Sequence, residues 1–197
     1  LGAHYARVTV RGEPIQACAY WTALISLAFL EESAPTDLRP LCARALAALD
    51  PRSQHAEMVR DVLAWHRELP DDWRTLRSRV QSKYREGRGW NMNATIPNGA
   101  FVLSALLYGG GDLVQTMRLA FALGYDADCN AATCGAVLGV LHGASKLQRP
   151  EGWVLPERYE NRTRDALPAS ESMDELVDRT LRVAERVLLQ EGATRIS

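Results

Sequence analysis

The stretch Gly124-Tyr125-Asp126-Ala127-Asp128-Cys129-Asn130-Ala131-Ala132-Thr133 places two carboxylates two residues apart, just after a glycine. Small residues follow: Ala131, Ala132, Gly135, Ala136, Gly139, Gly143 and Ala144. Acids at such a junction are poor core material and good ligands for a hard divalent cation. On the N-terminal side, Asp112 can cap a helix that reaches Leu123 and stops at Gly124. On the C-terminal side, Asp128 is placed to cap a helix running to about Lys146. Gly135, Gly139 and Gly143 recur every four residues, so they share one face and are expected to admit another backbone closely.

The remaining chain reads the same way. Pro14 suits a first helical turn, and Ile15 to Leu30 is apolar on nearly every face, which predicts a helix central to its domain. Further helices are expected from about Asp37 to Leu49, from Ser53 to Glu68, and from Asp71 or Asp72 through Tyr84. Residues 86–95 break the pattern with two glycines and asparagines, and Asn98 to Tyr108 resumes it before Gly109-Gly110-Gly111. Segment 149–171 has no clear period and reads as a surface strap. Ser172-Met173-Asp174-Glu175 is a capping box opening a last amphipathic helix. Alternation is suggested only around Tyr5 to Val10. The expectation is an all-α fold of about eight helices, with residues 1–197 in one compact domain.

Composition narrows the function classes. The chain has 197 residues, 47% hydrophobic and 24% charged, with a net charge of −1 and both signs interspersed. Bulk charge therefore gives no footprint for nucleic acid or a membrane surface. The apolar run from Ala17 to Leu30 is shorter than the ~20 residues a bilayer span needs, so no membrane association is expected. Cys18, Cys42, Cys129 and Cys134 form no C-x-x-C pair, and buried thiols in a reducing, cytoplasmic compartment are the expectation.

On spacing alone, Asp126 and Asp128 fit two readings: metal ligands pointing into one cavity, or a helix cap beside a solvated turn acid. The segment Tyr108-Gly109-Gly110-Gly111-Asp112, with the run Ala122 through Gly139, resembles the C-terminal metal motif of the ADP-ribosylglycohydrolase family. That pattern is roughly G-x-D-T-D-T/S-N-A-A followed by a G-A-x-x-G helix. Ile96-Pro97-Asn98 and Glu13 to Phe29 are similar to the family as well, and the likeness covers about residues 5 to 153.

The resemblance implies a compact orthogonal all-α fold with a two-metal site, commonly magnesium, with manganese as the other option. The metals bind an ADP-ribosyl group through its ribose and position the water that cleaves its glycosidic bond. Asp126 and Asp128 would be ligands, with Asp128 the bridging one, and the third ligand position falls on Cys129. A thiol stands there in place of the family's hydroxyl, which leaves a loosely held metal, a substituting water or a changed metal preference. Asn130 keeps the family's polar residue. The loop before Pro97 is similar to one that lines the family's substrate pocket, so Trp90 would stack on a base and Asn91 or Asn93 would bond ribose or phosphate. An exposed turn is the other reading of that loop.

Two departures shape the functional expectation. The family's other ligands and its catalytic acid come from a Gly-Asp-x-Thr acid motif, and Gly111-Asp112-Leu113-Val114 lacks the Thr and second acid. The expectation is that these residues are the C-terminal part of a longer domain and do not turn over substrate alone. Val8 to Glu13 also lacks the histidine that family members carry near the substrate. A metal-dependent glycohydrolase is the first expectation. A non-catalytic helical binding domain, or an enzyme for another N-glycoside, are the alternatives. His66 and the Trp73 and Tyr84 stripe read as packing residues, His142 as an improbable catalyst, and Glu13 as a solvated acid.

Overall fold

The computed structural model describes residues 2–85, 93–147 and 156–190. Among them are nine α-helices and one two-stranded antiparallel sheet, so the protein is all-α in class. The chain divides into two compact units, residues 1–150 and 151–197.

The first unit is built around α6 (Thr95–Gly109), which packs against α2 (Glu13–Ala28), α4 (Gln54–Glu68), α5 (Trp73–Arg85), α7 (Leu113–Leu123) and α8 (Ala127–Lys146). The sequence accounts for this position: α6 has no charged residue, and its residues are buried from Ile96 through Gly109 almost without interruption. Ser104 is buried too, and satisfies its hydroxyl by donating to Ala100 O at 2.7 Å. The central helix is therefore α6, and not the one at Ile15 to Leu30. α2 buries one face, Ala17, Tyr20, Leu24 and Ala28, while Cys18, Thr22 and Ser26 are exposed. That stripe of polar residues gives α2 an outer face, and Phe29 and Leu30 at its end are 72% and 73% exposed. Tyr20 Oη donates to Cys42 O at 3.0 Å and ties α2 to α3 (Arg39–Ala45).

Several helices begin at the expected residues, each capped by a side chain. Ser53 Oγ accepts from Ala56 N at 3.1 Å, Asp72 Oδ1 from Thr75 N at 3.0 Å, and Asp112 Oδ1 from Gln115 N at 2.6 Å. Glu13 is not a solvated acid. Its carboxylate accepts from Gln54 N at 3.0 Å and His55 N at 2.9 Å, so it caps α4 from α2. The helix dipole favours an anion there. Residues Tyr5 to Val10 form no strand: α1 (Gly2–Ala6) runs into a turn.

The second unit contains β1 (Arg158–Glu160), β2 (Ser170–Ser172) and α9 (Met173–Gln190). The strap expected over 149–171 includes this hairpin, with Tyr159 opposite Glu171. Strands of three residues, β1 exposed throughout and β2 half-buried around the buried Glu171, leave no apolar alternation to read. The capping box is present: Ser172 N donates to Glu175 Oε2 at 2.9 Å and Glu175 N to Ser172 Oγ at 3.1 Å.

Candidate metal centre

The acid-bearing turn joins α7 to α8 through two unusual backbone positions. Gly124 has φ 80° and ψ −151°, a region nearly closed to residues with a Cβ. Tyr125 follows at φ 63°, uncommon outside glycine. Its ring packs edge-on against Phe101 of α6, centroids 5.0 Å apart, which compensates for the left-handed backbone. Arg77 of α5 donates from Nε to Leu123 O at 2.8 Å, placing a cation at the C-terminal end of α7.

This turn corrects the expected cap. Asp126, not Asp128, is the N-cap of α8, and its side chain makes no capping bond. The left-handed Tyr125 turns the chain two residues earlier than the pattern implies, so helical geometry begins at Ala127 and Asp128 lies in the first turn. The Asp126 carboxylate is thereby left without a capping bond to the helix start.

Asn98 of α6 braces the turn. Its Oδ1 accepts from Asp126 N at 3.1 Å and from Asn130 Nδ2 at 2.9 Å. Asn98 Nδ2 donates to Ala94 O at 3.0 Å, which orients the amide. Asn130 is 3% exposed, and its Nδ2 also reaches Gly124 O at 3.4 Å. It is a buried support for the turn, as its place beside the acids suggests.

Asp126, Asp128 and Cys129 each present a ligand atom within 4.8 Å of the others. Asp126 is half-buried, while Asp128 and Cys129 are exposed. A hydrogen bond with the Asp126 side chain, helped by the backbone N–H groups of Asp128 and Cys129, holds the Asp128 carboxyl below its ordinary range. A hydrogen bond to Asp126 and the negative charge of that carboxylate push the Cys129 thiol above its ordinary range. Two oxygen donors and one sulfur, open to water on one side, fit a divalent cation that completes its shell with solvent.

Trp90 and Asn91 lie outside the described residues. Asn93 is exposed in the turn ahead of α6. His142 Nε2 donates to Gly111 O at 2.8 Å and fastens α8 to the α6–α7 turn. His66 stacks edge-on against Tyr108. Among the described residues the glycine face of α8 admits no close backbone: a Cβ on Gly135 would meet only Met117 Cε at 3.5 Å, and one on Gly139 or Gly143 nothing within 4 Å. Gly143 instead kinks the helix at φ 68° and ψ 160°. Cys42 and Cys134 are buried as expected, whereas Cys18 and Cys129 are exposed, and all four thiols are free.

Sequence reasoning gives Asn98 no role beyond opening a helix, and does not single out His55. His55 is fully buried against Tyr20 and Trp21, with neither ring nitrogen hydrogen-bonded. Its burial depends on α2 and α6.

Among the described residues no helix is long and apolar enough to cross a membrane. No curated protein and no solved structure matches this chain. A family model described as ADP-ribosylglycohydrolase matches residues 1–191, nearly the whole chain. With the all-α architecture, that match establishes that the chain belongs to the ADP-ribosylglycohydrolase family.

Proposed function

We propose that this chain carries one arm of the metal centre of a glycohydrolase that cleaves an ADP-ribosyl, or related ribosyl, glycosidic bond. The observation that supports it best is the convergence of Asp126, Asp128 and Cys129 within 4.8 Å on a turn braced by Asn98, in a chain of this family. Asp126 and Asp128 would hold a divalent ion, Mg²⁺ or Mn²⁺ in the family's pattern, with Asp128 bridging where two ions bind. A bound cation supplies Lewis acidity toward water and sugar hydroxyls.

The chain's own residues do the positioning. Asn98 and Asn130 fix the backbone of the turn, so the carboxylates need little reorganisation when ligand arrives. Trp90, Asn91 and Asn93 would take the base, ribose and phosphates. The remaining ligands and the catalytic acid would come from segments outside residues 1–197, because the sequence holds no Gly-Asp-x-Thr acid motif. The free cysteines favour a reducing, cytoplasmic setting.

Two alternatives have support. Cys129 favours a binding domain that kept the fold without the chemistry, since a thiol is a poor partner for magnesium. The altered Val8 to Glu13 segment favours a different N-glycoside. The test is an assay of the full-length protein containing this segment. It is incubated with Mg²⁺ or Mn²⁺ and ADP-ribosylated arginine, ADP-ribosylated serine peptides, or simple ribosides. The expected result is release of ADP-ribose, lost in Asp128→Ala. Release from ribosides alone would defeat the ADP-ribosyl assignment, and absence of both turnover and metal binding would favour the binding domain.

A further inference from the structure

We propose that Cys129 turns this centre toward a thiophilic divalent cation of the zinc type in preference to magnesium. The inference rests on the reading of Asp126 and Asp128 as metal ligands, and adds the identity of the ion they take.

Geometry separates Cys129 from the other thiols. Cys42 and Cys134 are buried in the core, and Cys134 Sγ donates to Val102 O at 3.6 Å. Cys18 is exposed on α2 and belongs to no cluster of ligand atoms among the described residues. Cys129 alone among them joins such a cluster, exposed and with Sγ within 4.8 Å of a carboxylate oxygen on each of Asp126 and Asp128. The first turn of α8 makes the cluster, since Asp126 and Cys129 are three residues apart across the helix start.

The donor set then selects the ion. Magnesium requires a near-octahedral oxygen shell and gains nothing from sulfur, whereas zinc binds thiolate at about 2.3 Å and carboxylate at about 2.0–2.2 Å. Ligands of a tetrahedral ion at those distances lie about 3.6 Å apart, so closing the cluster needs movements on the order of an ångström. The exposed side leaves the fourth position to water. On binding, the Cys129 S–H bond breaks, a sulfur–metal bond forms, and the proton passes to solvent.

The experiment titrates metal-free protein with Cd²⁺, following the ultraviolet thiolate-to-cadmium charge-transfer band, and with Zn²⁺ and Mg²⁺ by calorimetry. Cys18→Ser serves as the background in which Cys129→Ser and Asp128→Asn are made, and circular dichroism confirms that each variant is folded. The expected result is a saturable band in Cys18→Ser that vanishes with Cys129→Ser, together with Zn²⁺ affinity at least about tenfold weaker and Mg²⁺ affinity no weaker. A band that persists in Cys129→Ser, or equal Zn²⁺ affinity with and without the thiol, would overturn the proposal. If Asp128→Asn still abolishes binding in that event, the metal-site reading survives and only the thiol preference is lost. If Asp128→Asn changes nothing, the site reading fails with it.

Discussion

Asn98 Oδ1 accepts a hydrogen bond from Asn130 Nδ2 at 2.9 Å, joining the central helix α6 to the first turn of α8. The same oxygen accepts from Asp126 N at 3.1 Å, so one side chain holds the backbone from which the carboxylates project. Asn98→Ala leaves the buried Asn130 amide and the Asp126 N–H short of an acceptor. A destabilisation of about 1–3 kcal/mol is expected in chemical denaturation. Metal affinity should fall with it, although Asn98 is not a ligand. Unchanged affinity in a folded Asn98→Ala protein would show that the turn does not depend on this brace.

Gly124 offers an independent test of the turn. At φ 80° and ψ −151° a Cβ is strained, and Arg77 Nη2 is 3.7 Å from where it would sit, so the obstacle is conformation rather than space. Gly124→Ala should cost about 1–3 kcal/mol and shift Asp126 and Asp128 relative to one another. Calorimetric metal titration alongside denaturation reads both effects.

These two positions also show what could be read from the chain. Gly124 is visible as a helix stop because the residue type carries the conformation. Asp72, Asp112 and Ser172 are visible as caps because their bonds reach only three residues ahead. Asn98 is not visible, since its partners lie in another helix and only packing brings them together. The cap of α8 lies two residues before the one the pattern predicts because nothing local announces a left-handed tyrosine; the ring of Phe101 supplies that reason from α6. The choice of α6 over α2 as central helix turns on a stripe of small polar residues whose weight is settled by what packs opposite.

His55 predicts a pH dependence unrelated to the site. Burial lowers its pKa from 6.5 to about 4, with the Glu13 carboxylate opposing that shift in part. The unfolded chain thus binds a proton between those values that the folded protein does not. Stability from this group is full above pH 6.5 and is lost as pH falls toward 4, by about 3 kcal/mol at most. Denaturation curves across that window should show the loss, and His55→Leu should flatten it. An equal slope in His55→Leu would assign the effect to other groups.

Glu13 predicts a smaller change on the same helix. Glu13→Ala removes the acceptor for Gln54 N and His55 N, and about 1 kcal/mol of stability should go with it. Glu13→Gln retains an acceptor but not the charge, so it should recover part of that loss, with thermal unfolding as the readout.

The central claim is that Asp126 and Asp128 hold a divalent cation. Calorimetric titration of the metal-free protein with Mn²⁺, which takes oxygen donors and tolerates sulfur, tests it directly in wild type and Asp128→Ala. The account predicts saturable binding in wild type that is lost in the folded variant. Equal binding by the two proteins, or none by wild type, would contradict it.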